Sequence, residues 1–167
     1  RLARSLGMNV IAFDAMIDDD AGVFQDSGVK ATGLHDLILQ SDVVTLHVPE
    51  TPATRDLIGT AQIASMRRGA HLINASRGKV VDIDALAEAL NTGHLGGAAV
   101  DVFPIEPEGN DAPFVSPLAG IDNAILTPHI GGSTLEAQDN IGLEVAAKLI
   151  RYFQDNIGLE VAAKLIR

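Results

Sequence analysis

Three residues far apart in the chain carry groups suited to chemistry at a carbonyl or hydroxyl: Arg77 in N-A-S-R-G, Glu106 in D-V-F-P-I-E-P and His129 in T-P-H-I-G-G. A planar guanidinium offers a carboxylate two parallel N–H donors, so Arg77 could grip an acid in one orientation. An imidazole gives and takes a proton near neutral pH more readily than any other side chain, which suits His129 to a reacting oxygen. Glu106 lies between Pro104 and Pro107, whose fixed φ angles stiffen the loop that carries its carboxylate. Each residue also has an ordinary reading, as a solvated loop charge or a structural ring.

Other chemistries find less support. No H-x-x-x-H or paired-carboxylate spacing suggests a metal, and no G-x-S-x-G elbow suggests a serine hydrolase. Cysteine is absent, which leaves no disulfide framework and no thiolate site. A formal net charge of −10 would repel nucleic acid and anionic membranes, so neither is an expected partner. No apolar run approaches the roughly 20 residues needed to cross a bilayer, and no secretory pattern opens the chain, so a cytoplasmic location is the expectation.

The elements that must position these groups can be read from the apolar pattern. Short apolar, β-branched runs at Val10 to Phe13, Val43 to Val48, His71 to Asn74, Ala98 to Phe103 and Ala124 to Leu126 predict strands. Because they are mainly apolar and do not strictly alternate, they predict a parallel sheet covered on both faces. Helical spacing lies between them, at Leu34, Leu37 and Ile38, at Ile58, Ile63 and Met66, and at Ile83, Leu86, Ala87 and Leu90. Asp82 and Asp84 suit the start of the last helix, and Asn91 and Gly93 its stop.

Strand and helix in alternation predict an α/β, Rossmann-like doubly wound parallel sheet. With 167 residues, 47% of them hydrophobic, one sizeable core is expected. Arg1 lies in a helical pattern with no strand and no G-x-G-x-x-G before it, so the first βα unit is expected to be truncated. The division expected is an N-terminally incomplete dinucleotide-binding domain over 1–134 and a helical segment over 135–167, with no substrate domain.

In such a sheet, ligands bind beyond the carboxyl ends of the strands, where the loops converge. Asp14 follows the first run, Pro49 and Glu50 the second, Ala75, Ser76 and Arg77 the third, Pro104 and Glu106 the fourth, and Thr127, Pro128 and His129 the fifth. Asp14 has a turn reading and a ribose reading, the latter selecting NAD over NADP because a carboxylate repels a 2′-phosphate. His47, within its strand, reads as packing or as a cofactor wall. Gly131 and Gly132 would let backbone approach a ligand, and Ser133 or Thr134 would cap the next helix. His35, His71 and His94 lie on helix starts, strand starts or turns and read as ordinary residues.

The C-terminal end holds an anomaly: Q-D-N-I-G-L-E-V-A-A-K-L-I-R occurs at Gln138 to Arg151 and again, letter for letter, at Gln154 to Arg167. The offset turns the second apolar stripe by about 160° relative to the first in an unbroken helix. One straight helix could not pack both stripes on one core. We therefore expect a duplicated stretch, with Asp155, Asn156 and Gly158 breaking the helix.

The runs SDVVTLHVPETPATRDLIG, LINASRGKVVDIDALAEAL, GAAVDVFPIEP and LTPHIGGSTLEAQDNIGLEVA, in that order and spacing, resemble the D-2-hydroxyacid dehydrogenases, and the likeness reaches Phe153. The resemblance implies NAD as cofactor, with His129 as proton donor and acceptor, Glu106 as its partner and Arg77 as substrate anchor. It places Asp14 on the adenosine ribose and His47, Val48, Pro49 and Thr54 around the adenine. Ala75, Ser76, Arg77, Asp101 and the loop of His129, Ile130, Gly131 and Gly132 fall near the nicotinamide.

D-V-F-P-I-E-P with P-F-V-S-P-L is similar to the branch that oxidises 3-phospho-D-glycerate to 3-phosphohydroxypyruvate, the opening step of serine biosynthesis. Glu106 beside His129 would favour the imidazolium and ready it to protonate a keto oxygen. A homo-oligomer is implied for the full-length protein. Family members carry a phosphate-binding glycine loop and a closing substrate domain. Without these, the chain by itself is expected to turn over little or no substrate. Alternative readings are a glyoxylate or hydroxypyruvate reductase of the same family, and a non-enzymatic NAD-sensing corepressor.

Overall fold

A computed structural model describes residues 2–107, 109 and 112–157. The chain divides into two compact units, Arg1–Pro128 and His129–Arg167. The first is an α/β unit whose strands form two parallel ladders. In one, β1 (Ile11–Ala12) pairs with β2 (Lys30–Ala31). In the other, β3 (Val43–Leu46), β4 (His71–Asn74), β5 (Gly97–Val100) and β6 (Ala124–Leu126) lie side by side in that order. The short α1 (Leu2–Ser5) precedes β1, and α2 (Gly22–Ser27) and α3 (Leu34–Gln40) lie on either side of β2 in sequence.

Parallel neighbours need a crossover. α4 (Thr60–Ser65) supplies it between β3 and β4, and α5 (Ile83–Asn91) between β4 and β5. α5 forms where its sequence signals place it. The Asp82 carboxylate accepts the Ala85 amide at 3.1 Å, which satisfies a backbone donor of the first turn. At the other end, Gly93 takes φ 66°, its amide bonds to Leu90 O at 3.0 Å, and the His94 amide bonds to Ala89 O at 2.9 Å. That pair of bonds is the Schellman closure, and its left-handed position favours glycine.

Between these caps, Ile83, Leu86, Ala87 and Leu90 are buried. They join Ile38 of α3, Ile63 of α4, and Val44, Leu46, Leu72 and Val100 of the sheet in one core. Asp82→Ala should lower stability by about 1 kcal/mol, the usual effect of losing a cap, read as a lower urea midpoint at constant slope.

Three sequence expectations need correction. Among the described residues, β3 and β4 are covered on one face only: Val44, Leu46, Leu72 and Asn74 are buried, whereas Val43, Thr45, His71 and Ile73 are exposed. The apolar residues of α3, α4 and α5 in the core meet the first set, and a β-branched run does not by itself report how many faces are packed.

Ile58 and Met66 lie outside α4. Ile58 forms an extended bridge with Val81, donating to Val80 O and accepting from the Asp82 amide, each at 3.1 Å. Its burial in the core serves a strand-like contact that merely mimics helical spacing.

The third correction falls in the second unit. There α6 (Leu135–Ile157) is capped by Thr134, whose hydroxyl accepts the Ala137 amide at 3.1 Å. It runs on through Asp155 and Asn156, expected to break it. Asp and Asn within a helix each cost less than about 0.7 kcal/mol against alanine, too little to end a long helix. Gly158 lies outside the described residues.

Candidate active site

Register brings several of the candidate residues to one edge of the four-stranded sheet. Leu46, Asn74, Val100 and Leu126 are partners across the four strands. The next residue on each strand, His47, Ala75, Asp101 and Thr127, therefore starts a loop from the same edge of the sheet. Loops that begin side by side can bond to each other, and here they do.

The β4 loop is fixed from beneath. Asn74 is fully buried; its Oδ1 accepts from the Ser76 amide at 3.1 Å and the Ser76 hydroxyl at 2.9 Å, and its Nδ2 donates to Arg77 O at 3.0 Å. Ser76 is buried with it, while Arg77 is exposed and its Nη1 donates to Ser76 O at 2.6 Å. A short 3₁₀ turn, Gly78–Val80, then returns the chain to the core.

Gly78 seats this loop against the next. A Cβ added there would run into the Phe103 carbonyl and the Pro104 nitrogen, both backbone atoms that cannot swing away. Gly78→Ala should therefore force the two loops apart and destabilise the fold by about 1 to 3 kcal/mol, measurable by urea denaturation. On the far side of this contact, the Phe103 amide donates to Glu106 Oε1 at 3.0 Å. That bond fixes the Glu106 carboxylate relative to the loop that Gly78 touches. Arg77 and Glu106 are thus carried by loops in direct backbone contact.

Other strand-end residues are also tied together. The Thr127 hydroxyl donates to Asp101 Oδ1 at 2.5 Å, joining the ends of β5 and β6. Lys79 reaches Glu50 at 3.4 Å, joining the loops after β4 and β3. The Thr54 hydroxyl donates to Pro49 O at 2.6 Å and closes the turn after β3. Val48 packs against the core, and exposed His47 lies 3.2 Å from the Thr45 hydroxyl. Asp14, after β1, is exposed and its Oδ1 accepts the Met16 amide at 2.8 Å, so its turn role is realised.

His129 opens the second unit. Its φ of 53° places it in the left-handed region, uncommon for a residue with a side chain. The Ser133 amide bonds to Ile130 O at 3.0 Å, and Gln138 Nε2 donates to Gly132 O, closing the loop onto the start of α6. Among the described residues, nothing lies within 4 Å of a Cβ added at Gly131 or Gly132, which leaves room beside their backbone. Among the described residues, no group of three His, Cys, Asp or Glu could hold a metal ion.

Sequence reasoning missed Asn74, Gly78 and Thr127 as positioning residues. A signal existed for the first: an amide that follows the apolar pair Leu72 and Ile73 in a strand must find partners if it is buried.

A parallel α/β sheet with its polar residues gathered past the strand carboxyl ends is the architecture of a nucleotide-binding domain. This chain belongs to the D-isomer specific 2-hydroxyacid dehydrogenase family, whose NAD binding domain matches residues 1–131.

It is 56% identical over 151 residues to D-3-phosphoglycerate dehydrogenase of Escherichia coli strain K12, which covers 90% of this chain and 36% of that protein. The chain thus spans about a third of the length of that relative. Among solved structures, it is similar to D-lactate dehydrogenase from Aquifex aeolicus complexed with NAD and lactic acid, with TM-score 0.73, 32% identity and coverage of 93% of this chain and 49% of that one. A D-lactate dehydrogenase from Sporolactobacillus aligns with TM-score 0.74 and 33% identity over 95% of this chain and 49% of that one.

The residues fit the cofactor chemically. The first unit carries Asp14 and Asp101, acceptors suited to hydroxyl or amide donors, at strand carboxyl ends. The second carries the open backbone of Gly131 and Gly132.

Proposed function

We propose that the full-length protein oxidises a D-2-hydroxy acid with NAD, and that the acid is 3-phospho-D-glycerate, which is converted to 3-phosphohydroxypyruvate in serine biosynthesis. The observation that carries this reading is the 56% identity to a D-3-phosphoglycerate dehydrogenase across 90% of the chain. When bound, NAD supplies the hydride acceptor. Arg77 grips the substrate carboxylate through paired N–H donors. His129 takes the proton of the C2 hydroxyl as the C2 hydrogen leaves as hydride, and Glu106 stabilises the imidazolium so formed. In the reverse direction His129 returns that proton to the keto oxygen.

Asp14 binds the adenosine ribose, and His47, Val48, Pro49 and Thr54 surround the adenine. Ala75, Ser76, Asp101 and the His129–Ile130–Gly131–Gly132 loop border the nicotinamide. The protein works in the cytoplasm as a homo-oligomer.

NADH formation by the full-length protein tests the reading. With NAD, 3-phospho-D-glycerate should exceed D-lactate in kcat/KM by about 100-fold or more, because a site built for the phosphate leaves polar groups unpaired with lactate. Equal turnover of the two acids would move the protein to another member activity. Absence of turnover on any 2-hydroxy acid, with NAD bound, would end the enzymatic reading.

A further inference from the structure

Asn74 has no part in the hydride transfer described above, yet its side chain is fully buried and makes three hydrogen bonds to one loop. A buried amide contributes nothing that an apolar side chain of similar size would not, unless each polar atom finds a partner. At Asn74 the partners are the Ser76 amide and hydroxyl and the Arg77 carbonyl, groups of the residue that carries the exposed guanidinium and of the one before it. The Arg77 carbonyl also accepts the Val80 amide at 3.3 Å, so Asn74 couples β4 to the 3₁₀ turn. Its own backbone carbonyl accepts the Asp101 amide at 2.9 Å, which fixes the neighbouring strand end as well.

We propose that Asn74 is a positioning residue that acts on substrate through Arg77. An exposed arginine has rotamer entropy to lose on gripping an anion. Fixing its backbone and giving its guanidinium a resting place lowers that cost before substrate arrives. Asn74 does the first through the Arg77 carbonyl. It does the second through Ser76, whose carbonyl receives Arg77 Nη1 at 2.6 Å. Aspartate at this position would keep the two acceptor bonds and lose the donor, setting a carboxylate oxygen against the Arg77 carbonyl. The inference rests on the reading of Arg77 as the substrate anchor.

A double-mutant cycle in the full-length protein tests it, with 3-phospho-D-glycerate and NAD as the reactants. Asn74→Asp should raise KM for the hydroxy acid about tenfold, lower kcat by less than about threefold, and leave the Kd for NAD within about twofold. Combined with Arg77→Ala, the same change should add almost nothing to KM, because the residue through which it acts is gone.

Ser76→Ala removes one of the three bonds while keeping the fold of the strand. It should raise KM about threefold, again only when Arg77 is present. If Asn74→Asp does not melt cooperatively, the Ser76 cycle decides alone. KM changes of equal size with and without Arg77 would overturn the inference and leave the anchor reading intact. An Arg77→Ala protein with unchanged KM would overturn both.

Discussion

Arg77→Ala is expected to lower kcat/KM for the 2-hydroxy acid by about 1,000-fold, because removing one partner of a desolvated charge pair costs roughly 4 kcal/mol and each 1.4 kcal/mol is a factor of ten. Most of the loss should fall on KM, since the carboxylate is held in both ground and transition states. Arg77→Lys should recover no more than about a tenth of the lost activity. A point-charge ammonium keeps the attraction and loses the two-pronged geometry. The Kd for NAD, measured by calorimetry, should stay within about twofold for both variants. A loss of NAD binding equal to the loss of turnover would instead make Arg77 a cofactor ligand.

The second large effect is expected at His129, where the choice of replacement matters. With φ 53°, the residue sits where most side chains are strained, and asparagine is among the few that tolerate it. His129→Asn should therefore preserve the loop and remove only the proton acceptor. We expect single-turnover hydride transfer to slow by about 100- to 10,000-fold, the range for loss of a positioned general base. NAD affinity and thermal stability should hold. A β-branched replacement would add backbone strain of about 1 to 3 kcal/mol and confuse the two effects. Hydride transfer slowed less than tenfold in His129→Asn would assign the proton to another group.

The parts of the fold that were legible in the sequence are those whose signals are local. β4 was bounded correctly at His71 and Asn74, and α5 was marked by an acidic cap, an apolar stripe and a closing glycine. β2 was not foreseen, because Lys30–Ala31 has two residues and no β-branched side chain. The spacing of Ile58 from Ile63 and Met66 mimics a helical face, whereas its bridge to Val81 is a pairing between segments that spacing cannot show. The one-sided burial of β3 and β4 was hidden for the same reason: which helices pack on a sheet is a tertiary fact.

At the site, the reactive types could be named from sequence, and the strand-end edge on which the β3 to β6 loops begin follows from parallel register. The residues that hold them could not. Gly78 matters through the Phe103 carbonyl it meets, and Thr127 through Asp101, contacts between segments more than 20 residues apart.

The most direct measurement is a crystal structure of the full-length protein with NADH and a non-reacting 2-hydroxy acid analogue bound. The expected result is the Arg77 guanidinium paired with the analogue's carboxylate, the His129 imidazole within hydrogen-bond reach of its C2 oxygen, and the Glu106 carboxylate on the opposite ring nitrogen. An analogue held near the nicotinamide with neither Arg77 nor His129 touching it would contradict the proposed chemistry.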